Sequence, residues 1–233
     1  MTLPLFVIRA EPGCGATVTR ARALSLPASG FPLSAIAHRE WQAPPASSVD
    51  ALLVGSANVF RHGGAGLAAL RSVPVYAVGE ITARAARAAG FAVAAAGTGG
   101  LQAVLSEVPR AARLLRLAGD EHVPLGVPAG VTMDTRVVYA ATPVALPPAL
   151  ADVLRGAAVV LLHSGAGARH FADECDRLGL SRNGIALAAL GPRILAAAGG
   201  GWRAARAAHE PSEAALLALA GDLCHELARP EGA

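Results

Sequence analysis

A short apolar strand that ends in small residues occurs twice in this chain. Each copy is followed by a second strand that ends in glycine and runs into a helix. In the first copy Ala51-Leu-Leu-Val-Gly-Ser56 is followed by Val75-Tyr-Ala-Val78, then Gly79 and a helical run over 82–89 stopped by Gly90. In the second, Val159-Val-Leu-Leu162 leads into His163-Ser164-Gly165. Ala186-Leu-Ala-Ala-Leu190 then leads into Gly191-Pro192 and a run over 194–198 stopped by Gly199. Ser56 and Ser164 are 108 positions apart, and Gly79 and Gly191 are 112 apart. A strand–glycine–helix unit used twice predicts two similar α/β lobes with parallel sheets. The helix N-termini of such lobes carry unpaired N–H groups and partial positive charge, which suits them to anions.

The composition allows two cores. Of 233 residues, 53% are hydrophobic and 16% charged. The mean hydropathy of +0.45 raises the question of a membrane. No window of about 18 residues is free of charges and turn formers, so no spanning helix is expected. Residues 1–9 lack a basic stretch followed by a long apolar one, so no signal peptide is expected either. Cys14, Cys175 and Cys224 are odd in number, far apart and without a CxxC pair, and read as reduced, buried thiols of a cytoplasmic protein. A net charge of +3 is too small to argue for nucleic acid. Arginine supplies the basic residues, and its planar fork suits carboxylate or phosphate. A bias in nucleotide composition explains the same arginine and alanine content.

Residues 5–9 read as a strand, and 16–26 as a helix with Val18, Ala21 and Leu24 to Leu26 turned inward. The glycines between them, Gly13 and Gly15, lack the full GxGxxG pattern and the downstream acidic residue of a dinucleotide site. Further helices are expected over 67–71, 101–108, 149–154 and 166–178. The last helix, over 213–227, has Pro211 in its first turn. Two extended stretches, 35–41 and 136–142, border the first copy. The chain must cross there twice, so their pairing predicts a two-stranded β-ladder hinge. The domains are then a discontinuous lobe of 1–35 plus 143–233, and a lobe of 36–142 with the connecting strands at its ends.

Taken in order, several segments resemble the uroporphyrinogen-III synthase family. They are Val7-Ile-Arg9 with Glu11-Pro12, Leu53-Val-Gly-Ser56 with Asn58, and Val75-Tyr-Ala-Val-Gly-Glu-Ile-Thr-Ala83 with Ala89-Gly90. Tyr139, Ser164, Gly191-Pro192 and the helix start at 210–216 complete the set. The resemblance covers nearly the whole chain. It implies two α/β lobes joined by a β-ladder, one of them discontinuous. It also implies an enzyme, a cyclising lyase that needs no metal or organic cofactor. Its substrate is hydroxymethylbilane, a linear tetrapyrrole with eight carboxylates, which it closes with inversion of ring D and loss of water. Two positions depart from the family's pattern: Ile194, where a threonine is frequent, and His163, where a threonine or similar residue is common.

The resemblance makes Tyr139 the candidate proton donor to the departing hydroxyl; the other reading is a strand tyrosine packed at the hinge. Thr82, Ser56 and Ser164 each read either as a helix cap or as a hydroxyl offered to a substrate carboxylate. Gly79, Gly165 and Gly191 read as turn residues or as places where backbone amides approach the ligand. Arg9 reads as a carboxylate partner or a surface arginine. No metal is expected, since His163 and His170 are seven apart, a spacing without a standard metal-site precedent. The competing functions are a non-catalytic two-lobe binding or sensor protein and, less well supported, a nucleotide or sugar-phosphate binder. A monomer is expected.

Overall fold

The computed structural model describes residues 2–228. In chain order the elements are β1 (Leu5–Val7), α1 (Gly13–Ala23), β2 (Ala28–Gly30), β3 (Ser34–His38), β4 (Ala51–Val54), α2 (Asn58–His62), β5 (Val75–Val78) and α3 (Gly79–Ala88). There follow β6 (Val93–Gly97), α4 (Leu101–Leu105), β7 (Arg113–Gly119), β8 (Thr132–Pro143), α5 (Pro148–Leu154), β9 (Ala158–Leu162) and α6 (Gly165–Arg177). The chain ends with β10 (Ile185–Ala189), α7 (Pro192–Ala197), β11 (Ala204–Ala207) and α8 (Glu213–Glu226). It divides into two compact units, Met1–Ala35 with Thr142–Ala233, and Ile36–Ala141.

The first unit has a five-stranded sheet of order β11-β10-β9-β1-β2, parallel throughout. Counted along this unit the order is 2-1-3-4-5, a doubly wound sheet whose direction of winding reverses between β1 and β9. Both faces are covered, so its strands are apolar runs without polar alternation. Leu5, Val7, Val159 and Leu161 face α1 and α8, where Val18, Ala21, Leu216 and Leu223 meet them. Phe6, Ile8, Val160 and Leu162 face the other way, onto Leu150, Leu154, Phe171 and Cys175 of α5 and α6. Truncating a fully buried member such as Leu161 to alanine costs about 2–5 kcal/mol.

The second unit holds the sheet β3-β8-β7-β4-β5-β6. Its pairs β8/β7, β7/β4, β4/β5 and β5/β6 are parallel. The order β8-β7-β4-β5-β6 matches β2-β1-β9-β10-β11 strand for strand, with β4 in the place of β9 and β5 in the place of β10. The two copies seen in the sequence are therefore equivalent positions of one topology. β3 lies at the edge of this sheet, hydrogen-bonded to β8, so the stretches expected to pair do so. Arg39 N donates to Val138 O at 3.0 Å, and Thr142 Oγ1 to Ala35 O at 3.0 Å.

Several local expectations need correction. α1 starts three residues earlier than its apolar spacing suggests and ends at Ala23, because Ser25 takes a left-handed turn with φ of 60°. Leu26 then points inward, but Leu24 is 59% exposed. The expected helix over 101–108 stops at Leu105. α8 is capped by Ser212, whose Oγ accepts from Ala215 N at 3.2 Å, so Pro211 precedes the helix instead of entering its first turn. No helix among the described residues is long and apolar enough to cross a membrane.

Candidate functional site

In open α/β sheets, ligands bind beyond the carboxyl ends of the strands, where the winding reverses. The register of each sheet shows which residues lie there. In the unit of residues 36–141, Val54 is level with Ala77 of β5 and with Leu117 of β7. Two residues further on, Ser56, Gly79 and Gly119 fall in one row. A register shift pairs Gly119 with Tyr139 of β8. Tyr139, Gly119, Ser56 and Gly79 therefore line the carboxyl edge in sheet order.

Tyr139 is half-buried and packs against the core that includes its neighbour Val138. Gly119 makes room for its ring: a Cβ there would stand 2.7 Å from Cε2 and 3.0 Å from the phenol oxygen. The hydroxyl has no hydrogen-bond partner among the described residues. The ring is thus fixed while its O–H remains uncommitted. Gly79 opens α3 with φ of 73°, a conformation that favours glycine, and an added Cβ would meet nothing within 4 Å. Thr82 lies in the first turn of α3 and is 4% exposed, and it does not cap that helix. Ser56 accepts from Asn58 N at 3.2 Å, so its oxygen already serves the turn into α2.

A cavity of about 300 Å³ in this unit lies at the opposite edge, by the amino ends of β7 and β8. Pro44, Val49, Leu114 and Met133 are among its lining residues. Its arginine, Arg113, is already forked onto Asp50 at 2.7 and 3.1 Å.

In the other unit, Val7 is level with Leu161, which places Arg9 and His163 side by side where the winding reverses. Leu162 is level with Ala189, which brings Ser164 beside Gly191. Ser164 caps α6, its Oγ accepting from Gly167 N at 3.0 Å. Gly165 is the first residue of that helix, and a Cβ there would make only ordinary contacts at 3.7 Å. Gly191 has an extended backbone that any residue adopts, and it heads the six-residue α7, where Pro192 supplies no N–H. Its carbonyl accepts from Ile194 and Leu195, so those amides are already engaged.

The sequence reading did not single out Glu213, the first residue of α8. Its Oε1 accepts from the Thr17 hydroxyl, and its Oε2 lies 3.4 Å from His163 Nε2 and 3.6 Å from Arg9 Nη1. Burial pushes this carboxyl up, but the contacts from His163 and Thr17 and the charge of Arg9 outweigh it and leave the pKa at about 2. Glu213 is therefore a carboxylate at neutral pH. The three cysteines are buried and free, and burial pushes their thiols up to about 11 for Cys14, 12 for Cys175 and 11 for Cys224, which makes them poor nucleophiles.

One doubly wound topology used twice, each copy with polar groups along the carboxyl edge of its sheet, defines a two-lobe α/β protein. The chain belongs to the uroporphyrinogen-III synthase HemD family, whose model matches residues 16–218. The fold is similar to the crystal structure of uroporphyrinogen-III synthetase from Helicobacter pylori, with a TM-score of 0.64 and 18% identity, over 96% of this chain and 100% of that one. Two structures of uroporphyrinogen III synthase from Thermus thermophilus match with TM-scores of 0.41 and 0.40. The first is 18% identical over 97% of this chain and 99% of its own, the second 17% identical over 93% and 97%. No curated protein matches the chain in sequence.

Proposed function

We propose that this chain closes hydroxymethylbilane into uroporphyrinogen III, with inversion of ring D and release of water, and that Tyr139 donates the proton that carries the hydroxyl away. Membership of the family over residues 16–218 is the observation that carries the reaction. The assignment of Tyr139 is supported by its place at the carboxyl edge and by its uncommitted hydroxyl. Proton transfer to the hydroxymethyl oxygen breaks the carbon–oxygen bond, releases water and leaves an azafulvene cation. The substituted carbon of ring D attacks that cation to give a spiro intermediate, which rearranges to the inverted ring. Closure without an enzyme gives the uninverted isomer, so the protein's main contribution is orientation and the exclusion of water.

The substrate's eight carboxylates give each unit several anions to hold. In the unit of 36–141 we assign them to the Thr82 and Ser56 hydroxyls and to amides beside Gly79. In the other unit we assign them to Arg9 and to amides beside Ser164, Gly165 and Gly191. We further propose that the enzyme works as a cytoplasmic monomer, with the limits 1–35 plus 143–233 and 36–142 marking its two lobes.

Supplying hydroxymethylbilane, oxidising the products and separating the isomers tests the reaction. Type III isomer is expected, and type I alone at the spontaneous rate would refute it. Tyr139→Phe should slow closure about 10- to 100-fold, below the upper range for acid catalysis because the leaving group ionises readily. Unchanged turnover in a folded variant would return Tyr139 to a packing role.

A further inference from the structure

Of the charge network at the carboxyl edge of the unit formed by residues 1–35 and 142–233, only Arg9 has been given a part in the reaction. Arg9 and His163 stand beside each other where the winding of the sheet reverses. Glu213 reaches them from α8 and Thr17 reaches Glu213 from α1, so four separate segments meet at one carboxylate. Oε1 is taken by Thr17. Oε2 faces Arg9 and His163, at ion-pair distance from the guanidinium and without alignment for a hydrogen bond from the imidazole. The His163 side chain is 5% exposed and neither ring nitrogen has a hydrogen-bond partner.

Arg9 is held by this network without spending its donors on it. Its side chain is 39% exposed, and its pair with Glu213 is 3.6 Å long. None of its N–H groups makes a hydrogen bond among the described residues. Beneath it, Gly13 has no left-handed backbone that would call for glycine, yet a Cβ there would stand 2.5 Å from Arg9 Nε and 2.8 Å from Cζ. The missing side chain makes a seat for the guanidinium. An arginine fixed by a carboxylate behind it and a glycine below it, with its planar fork of donors free, is a preorganised receptor for a carboxylate.

We propose that Glu213 and Gly13 are positioning residues, which hold Arg9 so that it receives one carboxylate of the tetrapyrrole. This rests on the substrate assigned above. Glu213 fixes the guanidinium by charge without using its donors, and Gly13 fixes it by shape.

The test is a set of steady-state measurements on the whole enzyme, with KM and kcat for type III product determined separately. Arg9→Ala should raise KM about 10- to 100-fold, the cost of losing charge-assisted hydrogen bonds to a carboxylate, with kcat little changed. Glu213→Gln keeps the shape and the acceptor for Thr17, and should raise KM by part of that factor. Gly13→Ala should raise KM as well while leaving thermal stability equal or higher, because alanine favours a helix. A purely structural role does not produce that combination. In the Arg9→Ala background neither Glu213→Gln nor Gly13→Ala should raise KM further. Additive effects, or unchanged KM in both single variants, would overturn the proposal while the wild type still forms type III isomer. Wild-type enzyme that forms only type I would overturn the function itself and this proposal with it.

Discussion

Each unit of this protein draws a charge out of water, Glu213 in part and Arg116 almost wholly, and the two charges are treated in opposite ways. Glu213 is met by Thr17, His163 and Arg9, which come from three other segments of its own unit. Arg116, in the middle of β7 in the unit of 36–141, is 3% exposed. Its Nη1 donates to Val123 O at 2.8 Å, its Nε has no partner, and burial pulls its pKa down with no carboxylate acting against that. An arginine cannot shed its proton in a protein, so the charge stays. A carboxylate with several partners ties those segments together. A guanidinium with a single carbonyl mainly costs the energy of its own desolvation. Burial of a charge does not by itself reveal its role; the number and origin of its partners do.

The harshest way to break this comparison is Glu213→Leu. It leaves the His163 imidazole and Arg9 around an apolar side chain, and we expect a loss of about 3–5 kcal/mol, read as a lower urea midpoint with an unchanged slope. A loss below about 1 kcal/mol would show that the network ties nothing together.

Acid sharpens the same point more gently. Glu213 is lowered from 4.5 to about 2, so its contribution is complete above about pH 4.5 and is lost as the pH falls through about 2. That contribution is on the order of 3 kcal/mol. Glu174 is also held at about 2, by its forked bonds from Arg177 against the opposing effect of burial and with help from the Leu146 amide, and it loses its contribution over the same window. Stability of Glu213→Gln should therefore fall less steeply between pH 4.5 and 2 than that of the wild type. Parallel curves would remove Glu213 from the ionised network.

The smallest effect is expected from Arg116→Met, and in the opposite direction. A flexible apolar side chain of similar length removes the desolvated charge, and Val123, 61% exposed, can turn its carbonyl to water. A gain of about 1 kcal/mol, or about 2–4 °C in Tm, is expected. A clear loss of stability would mean that Arg116 has an anionic partner in solution.

The repeat was legible because it rests on local chemistry: apolar runs that must be covered on both faces, and glycines where strands turn into helices. The pairing of β3 with β8 was legible for a topological reason, since the chain must leave and re-enter one unit. The network around Glu213 was not. Thr17 lies 196 residues away in the chain, and the Ser212-Glu213 step reads locally as an ordinary helix start. His163 was noticed as a departure from the family's pattern and as one of two histidines at a spacing unsuited to a metal; what it faces is set by the pairing of β1 with β9. The seat at Gly13 was likewise hidden, because a glycine beside a helix start reads as a turn until the Arg9 side chain is placed over it. Leu24 shows the opposite failure, a helical spacing that runs past a turn at Ser25.

The discontinuity of the first unit also bears on how the chain is made. β1 lies at the heart of its sheet, yet of its two partners only β2 follows closely, over three paired residues. The other, β9, comes after the whole of residues 36–141. As the chain leaves the ribosome, the unit of 36–141 has all of its strands in hand first and closes over the shorter loops. The leading segment, with the apolar run Leu5-Phe-Val-Ile8, must wait with one edge open until residue 158 and beyond are synthesised. Its exposure to aggregation is greatest in that interval. Arg9 and its seat at Gly13 are thus made long before Glu213, and the arrangement that gives them meaning forms only once that late segment is in hand.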